Sequence, residues 1–423
     1  MYYFQIILGT LILTALAVPL SNNYKAIKIK NIIAAMLAML VFAFILLNPN
    51  VAGFFQILSD GVAKLSSATA YGTEFVFGSL FLNNPFAFAL NVLPLIIVMA
   101  SISALLWHWR ILPMIIKGFS YICEKLFGLG GPISFGAAAN VFVGQVEAPL
   151  FVRPYLSQMS KKELLILMTA GMATISGSIM IALSDALKPQ FGDINTVQHF
   201  LTASILSVPG AIMYAEIMYP SNEITHAIKN KEEEKIYSGS MDAITKGTKD
   251  GLSIAVNVAA ILISILALVS IIDGFLSLID PNLSLSMLLG YLFAPITWLM
   301  GVPWGEAVSS INTPVGIKSI FPDSYEVIPG AADLLGIKIA TNEFVAYLQL
   351  GGLDPSTFTE RTKVITLYAL CGFANFSSVG ILVSGIGSMA PERIGDLIQV
   401  SGKALVGATL ASCLTGLVAG LFV

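Results

Sequence analysis

Asn140-Val-Phe-Val-Gly-Gln-Val-Glu-Ala-Pro149 lies in the middle of an otherwise apolar stretch, residues 131–156, and its reading decides the fold. A straight lipid-facing helix would carry Gln145 and Glu147 into hydrocarbon, where a bare carboxylate costs several kcal/mol. A second apolar stretch, residues 334–353, carries Asn342 and Glu343 at its middle in the same way. Both are read as re-entrant hairpins buried in protein. Broken backbone is tolerated at membrane depth only where protein or a cavity surrounds it.

The rest of the chain supplies the membrane setting. Of 423 residues, 56% are hydrophobic and only 11% charged, against about 25% charged in a soluble domain. The apolar residues gather in long uncharged runs at 4–20, 32–47, 76–107, 164–184, 197–215, 251–272, 364–390 and 404–423. Runs of about 18 or more such residues read as membrane helices. The first run lacks a basic region before it and a small-residue cleavage site after it, so it is expected to be a retained helix. With both termini outside the cytoplasm, eight spans place most of the basic residues inside: Lys25, Lys28 and Lys30; Arg110, Lys117 and Lys125; Arg153, Lys161 and Lys162; five lysines between 229 and 249; Arg393 and Lys403. That is the cytoplasmic bias of polytopic proteins. Lys64, Lys188, Lys318, Lys338, Arg361 and Lys363 fall elsewhere.

The segments form two sets of opposite topology. The first holds a helix at 76–107, an amphipathic stretch at 110–127, the hairpin 131–156, and helices at 164–184 and 197–215. The second holds a helix at 251–272, an amphipathic stretch at 284–300, the hairpin 334–353, and helices at 364–390 and 404–423. The expected organisation is thus 1–75 (two helices and an interfacial helix near 52–66), 76–220, a cytoplasmic linker 221–249, and 250–423. Inverted repeats with broken helices at mid-membrane are a secondary-transporter architecture. The fold class is an all-α polytopic membrane protein with eight transmembrane helices and two re-entrant hairpins. Residues 309–329 read as an exposed loop.

Each hairpin is followed by a helix interrupted by small and polar residues, Ala173-Thr-Ile-Ser-Gly-Ser178 and Cys371-Gly-Phe-Ala-Asn-Phe-Ser-Ser378. Such interruptions free backbone carbonyls and amides. Carbonyls suit a small hard cation; amides, Gln, Asn, Ser and carboxylates suit a neutral polyhydroxyl ligand with an amide-like ring. Cys123, Cys371 and Cys413 are expected to be buried thiols, and His108, His199 and His226 show no ligand spacing. A net charge of −3 gives no nucleic-acid surface. No metal cluster, nucleophile elbow or phosphate loop suggests an enzyme.

Gly144-Gln-Val-Glu-Ala-Pro149, Asn342-Glu-Phe-Val-Ala-Tyr347 and Cys371-Gly-Phe-Ala-Asn-Phe-Ser-Ser378 strongly resemble the signature segments of concentrative nucleoside transporters. Tyr71-Gly-Thr-Glu-Phe-Val-Phe-Gly-Ser-Leu80 and Gly301-Val-Pro-Trp-Gly-Glu306 also resemble family segments. The resemblance covers nearly the whole chain. It implies a homotrimer in the bacterial inner membrane, each protomer a scaffold holding a mobile domain built on the two hairpins. By position, Gln145 and Glu147 match the family's nucleobase contacts. Glu343, Asn375 and Ser378 match its ribose contacts, and Phe373, Ile179 and Ile254 its apolar wall. Asn140, Thr174 and the carbonyls of Val143 and Ile175 match its sodium site. Val146 departs from the pattern, standing where many relatives have Thr, which bears on base preference.

The resulting expectation is a sodium–nucleoside symporter working by alternating access, with sodium as coupling ion and nucleoside and membrane lipid as partners. Proton coupling is the close rival; the relatives that use it depart at the sodium-site Asn, present here as Asn140. A channel or a membrane receptor for nucleosides is the rival from another class, but no repeated charged ring is visible.

Overall fold

The protein's structure, a computed structural model, describes residues 2–78, 80, 88–145, 147–192, 194–225, 237–280, 283–308 and 329–423. Among the described residues every regular element is a helix. The N-terminal part is α1 (Tyr2–Ala15), α2 (Ile29–Leu46) and α3 (Ala52–Phe77). The first set is α4 (Phe88–His108), α5 (Ile111–Phe127), the hairpin of α6 (Gly131–Ala139) and α7 (Glu147–Phe151), the broken helix of α8 (Lys161–Ala173) and α9 (Gly177–Ala186), and α10 (Thr196–Met218). The second set repeats this order: α11 (Ser240–Ser277), α12 (Leu285–Leu299), the hairpin of α13 (Ala331–Ala340) and α14 (Glu343–Gly352), the broken helix of α15 (Glu360–Leu370) and α16 (Phe376–Met389), and α17 (Ile394–Ala419).

Opposite topology leaves a mark on the packing, because corresponding helices of the two sets meet antiparallel. Gly247 of α11 lies on Ser101 and Ala104 of α4, and Gly251, one turn further on, lies on Ile97 and Ala100, one turn back. A Cβ at either glycine would come within 2.8 Å of α4. The absence of side chains is what lets these backbones close, as small residues do between membrane helices generally. In the same way Ser207, Gly210 and Tyr214 of α10 meet Thr415, Ala411 and Gly407 of α17.

The helix termini follow from local chemistry. Ser160 and Glu163 form a capping box at the start of α8, and Asn195, Ser284 and Thr359 cap α10, α12 and α15 through their side chains. Such caps satisfy N–H groups that have no intrahelical partner. The amphipathic α5 buries a single stripe, Leu112, Ile116, Ser120, Cys123 and Phe127, and turns away from α4 by 77°.

Apolar side chains lie both in the core and on the outer surface. Helices α8 and α15 are buried along nearly their whole length, although α15 is rich in Thr, Lys and Tyr. Large apolar side chains also face outward, including Phe54, Ile57 and Phe75 on α3 and Leu252, Val256 and Phe275 on α11. In a polytopic chain this outer apolar face meets lipid.

Several sequence expectations need correction. The run at 76–107 is not one helix: α3, expected only near 52–66, continues to Phe77 and ends at Gly78 (φ +53), and α4 begins by Phe88. The helix expected at 251–272 begins at Ser240, inside the expected linker, so α11 is 38 residues long. At 1.5 Å per residue this is about 57 Å, well beyond a hydrocarbon core of about 30 Å. Helix α13 starts at Ala331, ahead of the expected hairpin at 334. Three described helices, Ile29–Leu46, Thr196–Met218 and Pro391–Ala419, are long and apolar enough to cross a membrane unaided. The expected spans at 164–184 and 364–390 do not pass as single helices because each is cut at its centre. The expected loop at 309–329 lies outside the described residues except for Pro329, and His226 and Lys318 also lie outside them.

Candidate functional site

The two hairpins turn differently. Helix α6 ends at Ala139, with Asn140 as its C-cap, and several turn residues precede α7, whereas α13 and α14 are separated only by Thr341 and Asn342. Asn342 turns the chain and caps α14, accepting the Val345 N–H at 3.0 Å. The broken helices open at 174–176 and 371–375. The breaks lie back to back, for Gly372 (φ +106) has the backbone of Met172 and Ala173 directly against its Cα. Each break also receives its own hairpin. The Gly177 N–H donates to the Phe142 carbonyl at 3.3 Å.

The polar residues picked out in the sequence converge here from both sets. Gln145 Nε2 donates to Ser378 Oγ at 3.2 Å, joining the first hairpin to the second broken helix. Asn375 Nδ2 donates to Glu343 Oε2 at 2.9 Å, joining the second broken helix to its own hairpin. Asn375 Oδ1 accepts the Ser378 N–H at 2.8 Å and the Ser377 hydroxyl at 2.7 Å, which caps α16 and fixes the amide's orientation. Glu343, Asn375, Ser378 and Gln145 are all buried. Glu147 is half-buried, and one of its oxygens accepts the Gly144 N–H across its own turn. Ile179 and Phe373 are buried in the main apolar cluster, and Ile254 of α11 packs half-buried against it. Val146 lies outside the described residues.

Of the residues that sequence reading expects at a cation site, Asn140, Thr174 and Ile175 lie at the end of α8. Asn140 is fully buried and donates through Nδ2 to the Gly136 carbonyl at 3.0 Å. Its Oδ1 is buried without a hydrogen-bond partner and faces Gly171 of α8, as does the Gln145 side chain. Gln145 Oε1 is likewise buried and without a donor. Thr174 closes α8 by donating to the Ala170 carbonyl at 2.9 Å, and the Ile175 N–H donates to Ser204 Oγ at 3.3 Å. Val143 packs its side chain with Leu112 and Ile116 of α5. A buried carbonyl oxygen left without a partner costs about 1–3 kcal/mol, so these two oxygens mark places for a cation or a donor. Oxygen donors of this kind suit a hard monovalent cation. Among the described residues no group of three or more His, Cys, Asp or Glu could hold a metal.

Three residues at the breaks were missed by sequence reading. Gly372 permits the back-to-back contact, Ser204 holds the Ile175 amide, and Lys338 reaches the second break, donating to the carbonyls of Ala369 and Cys371. Lys338 had a legible signal: it is a lysine inside a stretch read as buried at membrane depth.

Comparison with known proteins agrees with this arrangement. Residues 199–420 match the family described as Na+ dependent nucleoside transporter C-terminus, residues 8–80 the corresponding N-terminus family, and residues 89–190 a family described as Gate: Nucleoside recognition. The chain is 33% identical to Nucleoside permease NupC of Helicobacter pylori over 434 residues, covering 99% of this chain and 97% of that one. It is 32% identical to Sodium/nucleoside cotransporter 1 of Mus musculus over 391 residues, which cover 87% of this chain and 55% of that longer one. Among solved structures, CNTnw in an inward-facing substrate-bound state superposes with a TM-score of 0.85 at 32% identity, covering 100% of this chain and 99% of that one. A CNTnw variant in an intermediate state gives a TM-score of 0.86 at 32% identity, with 100% of both chains covered. Similarity along nearly the whole chain, in sequence and in fold, places this protein in the concentrative nucleoside transporter family.

Proposed function

We propose that the chain is a sodium–nucleoside symporter that imports nucleosides across the bacterial inner membrane by alternating access. The observation that carries this reading is the convergence of both hairpins and both helix breaks on one buried polar cluster, with the Asn140 and Gln145 oxygens left without protein partners. Sodium would sit at the end of α8 among Asn140 Oδ1, Thr174 and the carbonyls of Val143 and Ile175. Half-helix C-terminal ends and unwound carbonyls commonly take such an ion. The nucleoside would lie beside it. Glu343 would accept from the ribose hydroxyls, with Asn375 and Ser378 holding the same ring. Gln145 and Glu147 would read the base edge, with Val146 setting part of that preference, and Ile179, Phe373 and Ile254 would form the apolar wall.

Because Asn140 and Gln145 flank the same glycine of α8, an ion bound at the first also fixes the second. Ordering by one ligand then favours the other, and such coupling is reciprocal. The segments 76–220 and 250–423 would act as inverted repeats, α4 and α11 belonging to the scaffold of a homotrimer and the hairpins to the moving part. Solved CNTnw structures in inward-facing, intermediate and outward-facing states support the alternating scheme.

Uptake of labelled uridine into membrane vesicles tests the reading. A sodium gradient should drive accumulation, and choline replacement should abolish it. Accumulation driven equally by a proton gradient without sodium would replace sodium by proton coupling.

A further inference from the structure

Lys338 is a buried charge to which the symport reading gives no task. It lies in the last turn of α13, just before the hairpin tip, and is 1% exposed. Its ammonium donates to the carbonyls of Ala369 at 3.0 Å and Cys371 at 3.4 Å. These flank Leu370, where α15 ends. The last four carbonyls of a helix have no intrahelical partner and carry partial negative charge, so a cation is favoured there. None of the ion pairs among the described residues includes Lys338. It is held by helix-end carbonyls.

The first set repeats this architecture with neutral side chains. Helix α8 ends at Ala173 as α15 ends at Leu370; Asn140 follows the last residue of α6, and Lys338 lies in the last turn of α13, so each hairpin brings a side chain from the end of its first arm to the break behind it. Asn140, Gln145, Thr174 and Ser204 at the end of α8 are all uncharged, and the one charged group close to this break among the described residues, the Glu147 carboxylate beside Gly144 and Ser176, is an anion. One of them, Asn140, presents an oxygen with no partner. One break therefore carries its own positive charge, and the other carries an oxygen that lacks one.

We propose that the Lys338 ammonium is a tethered cation, filling in the second set the place that the coupling sodium takes in the first, so that only one of the two breaks draws an ion from solution. The inference rests on the sodium site proposed above. It makes Lys338 a positioning residue. By closing the end of α15 permanently it holds the tip that presents Glu343. Ion-dependent ordering is thereby confined to the first hairpin, and transport carries one sodium ion per nucleoside.

Two measurements on the full chain test this. Labelled sodium and labelled uridine are counted together in vesicles. One sodium ion per nucleoside is expected, two would overturn the proposal, and none would instead remove the sodium site on which it depends. Lys338→Ala and Lys338→Arg are then compared by nucleoside-binding calorimetry. Lys338→Ala in sodium should lose about tenfold or more in nucleoside affinity, the scale of one lost hydrogen bond to a charged group. Added methylammonium should restore it saturably. Lys338→Arg keeps a tethered cation and should bind without any such supplement. Unchanged affinity in Lys338→Ala, or a loss there that no small monovalent cation repairs, would overturn the assignment. If the neutral variant does not fold, the ion count on the unsubstituted protein decides alone.

Discussion

Asn375 donates through Nδ2 to the Glu343 carboxylate at 2.9 Å while its own Oδ1 caps α16 through the Ser378 amide at 2.8 Å. One side chain thus sets both the start of a half-helix and the aim of a buried acid. Replacing it separates the two tasks. Asn375→Asp keeps an oxygen for the cap, since Asp and Asn cap about equally well, but sets a second carboxylate against Glu343. Like charges that close raise one group's pKa strongly. The variant should insert and fold, lose most uridine uptake at neutral pH, and regain part of it in mildly acidic medium as the pair takes up a shared proton. Asn375→Ala, which loses cap and donor alike, should stay inactive at every pH. Uptake against pH in the two variants checks this, and matching profiles would show that the cap alone matters.

The unpartnered Asn140 oxygen leads to a prediction about coupling. Asn140→Ala removes a ligand for the proposed ion and also the bond to the Gly136 carbonyl. Nucleoside affinity should fall and its dependence on sodium should vanish together, because the Asn140 oxygen and Gln145 face the same glycine of α8. Calorimetric titration of nucleoside in sodium and in choline reads both at once. Wild-type binding of equal strength in the two salts would sink the coupling scheme.

Much of this site is legible in the sequence because it breaks local rules. A carboxylate inside an apolar run, as at Glu147 and Glu343, cannot be an ordinary span, and Gly–Ser or Gly–Phe–Ala–Asn inside a helical run announces a break. Asn342 and Asn375 sit where caps belong. What remained hidden depends on long-range register. Gln145 and Ser378 are 233 residues apart, and nothing local says that their helices bring them within a hydrogen bond. Apolar continuity misled at 76–107, where the run hides the end of α3 at Gly78. At the start of α11, polarity misled instead, for residues 240–250 look like linker but continue the helix. Lys338 was passed over because the charge count treated it only as a residue outside the cytoplasmic set.

Two ion pairs on neighbouring elements should differ sharply in worth. Glu216 of α10 accepts from Lys162 of α8 at 3.2 Å and also from Asn31 of α2, tying three helices together, and both charged side chains are nearly buried. Lys161 meets Asp396 at 3.1 Å with about a third of each side chain open to solvent. Removing one member of a buried pair strands the other and costs roughly 3–5 kcal/mol, whereas an exposed pair contributes about 0–1 kcal/mol. Glu216→Ala should therefore lower the thermal unfolding temperature of the solubilised protein clearly, and Lys161→Ala, which leaves Asp396 paired with Arg393, should leave it nearly unchanged. Comparable shifts in the two variants would contradict this ranking.

Gly372 gives the sharpest test of how the two breaks depend on each other. Its φ of +106 is open to glycine and strained for any residue with a Cβ. A Cβ there would also stand 2.6 Å from the Ala173 carbonyl carbon and 2.7 Å from the oxygens of Met172 and Ala173. The obstacle is backbone, so no side chain can turn aside to make room. Backbone strain of this kind costs about 1–3 kcal/mol, and relieving the contact requires α15 to move away from the end of α8. Gly372→Ala should thus disturb the proposed sodium site, which it does not touch, along with the nucleoside site. Gly380, four residues into α16, provides the control: a Cβ there meets nothing within 4 Å, and alanine in a helix interior is favoured over glycine by roughly 0.5–1 kcal/mol. Gly380→Ala should transport normally. Gly372→Ala should bind both nucleoside and sodium more weakly, even in the fraction that folds and inserts. A variant at 372 that lost nucleoside binding but kept an unaltered sodium response would mean that the breaks work independently, and that their contact is packing alone.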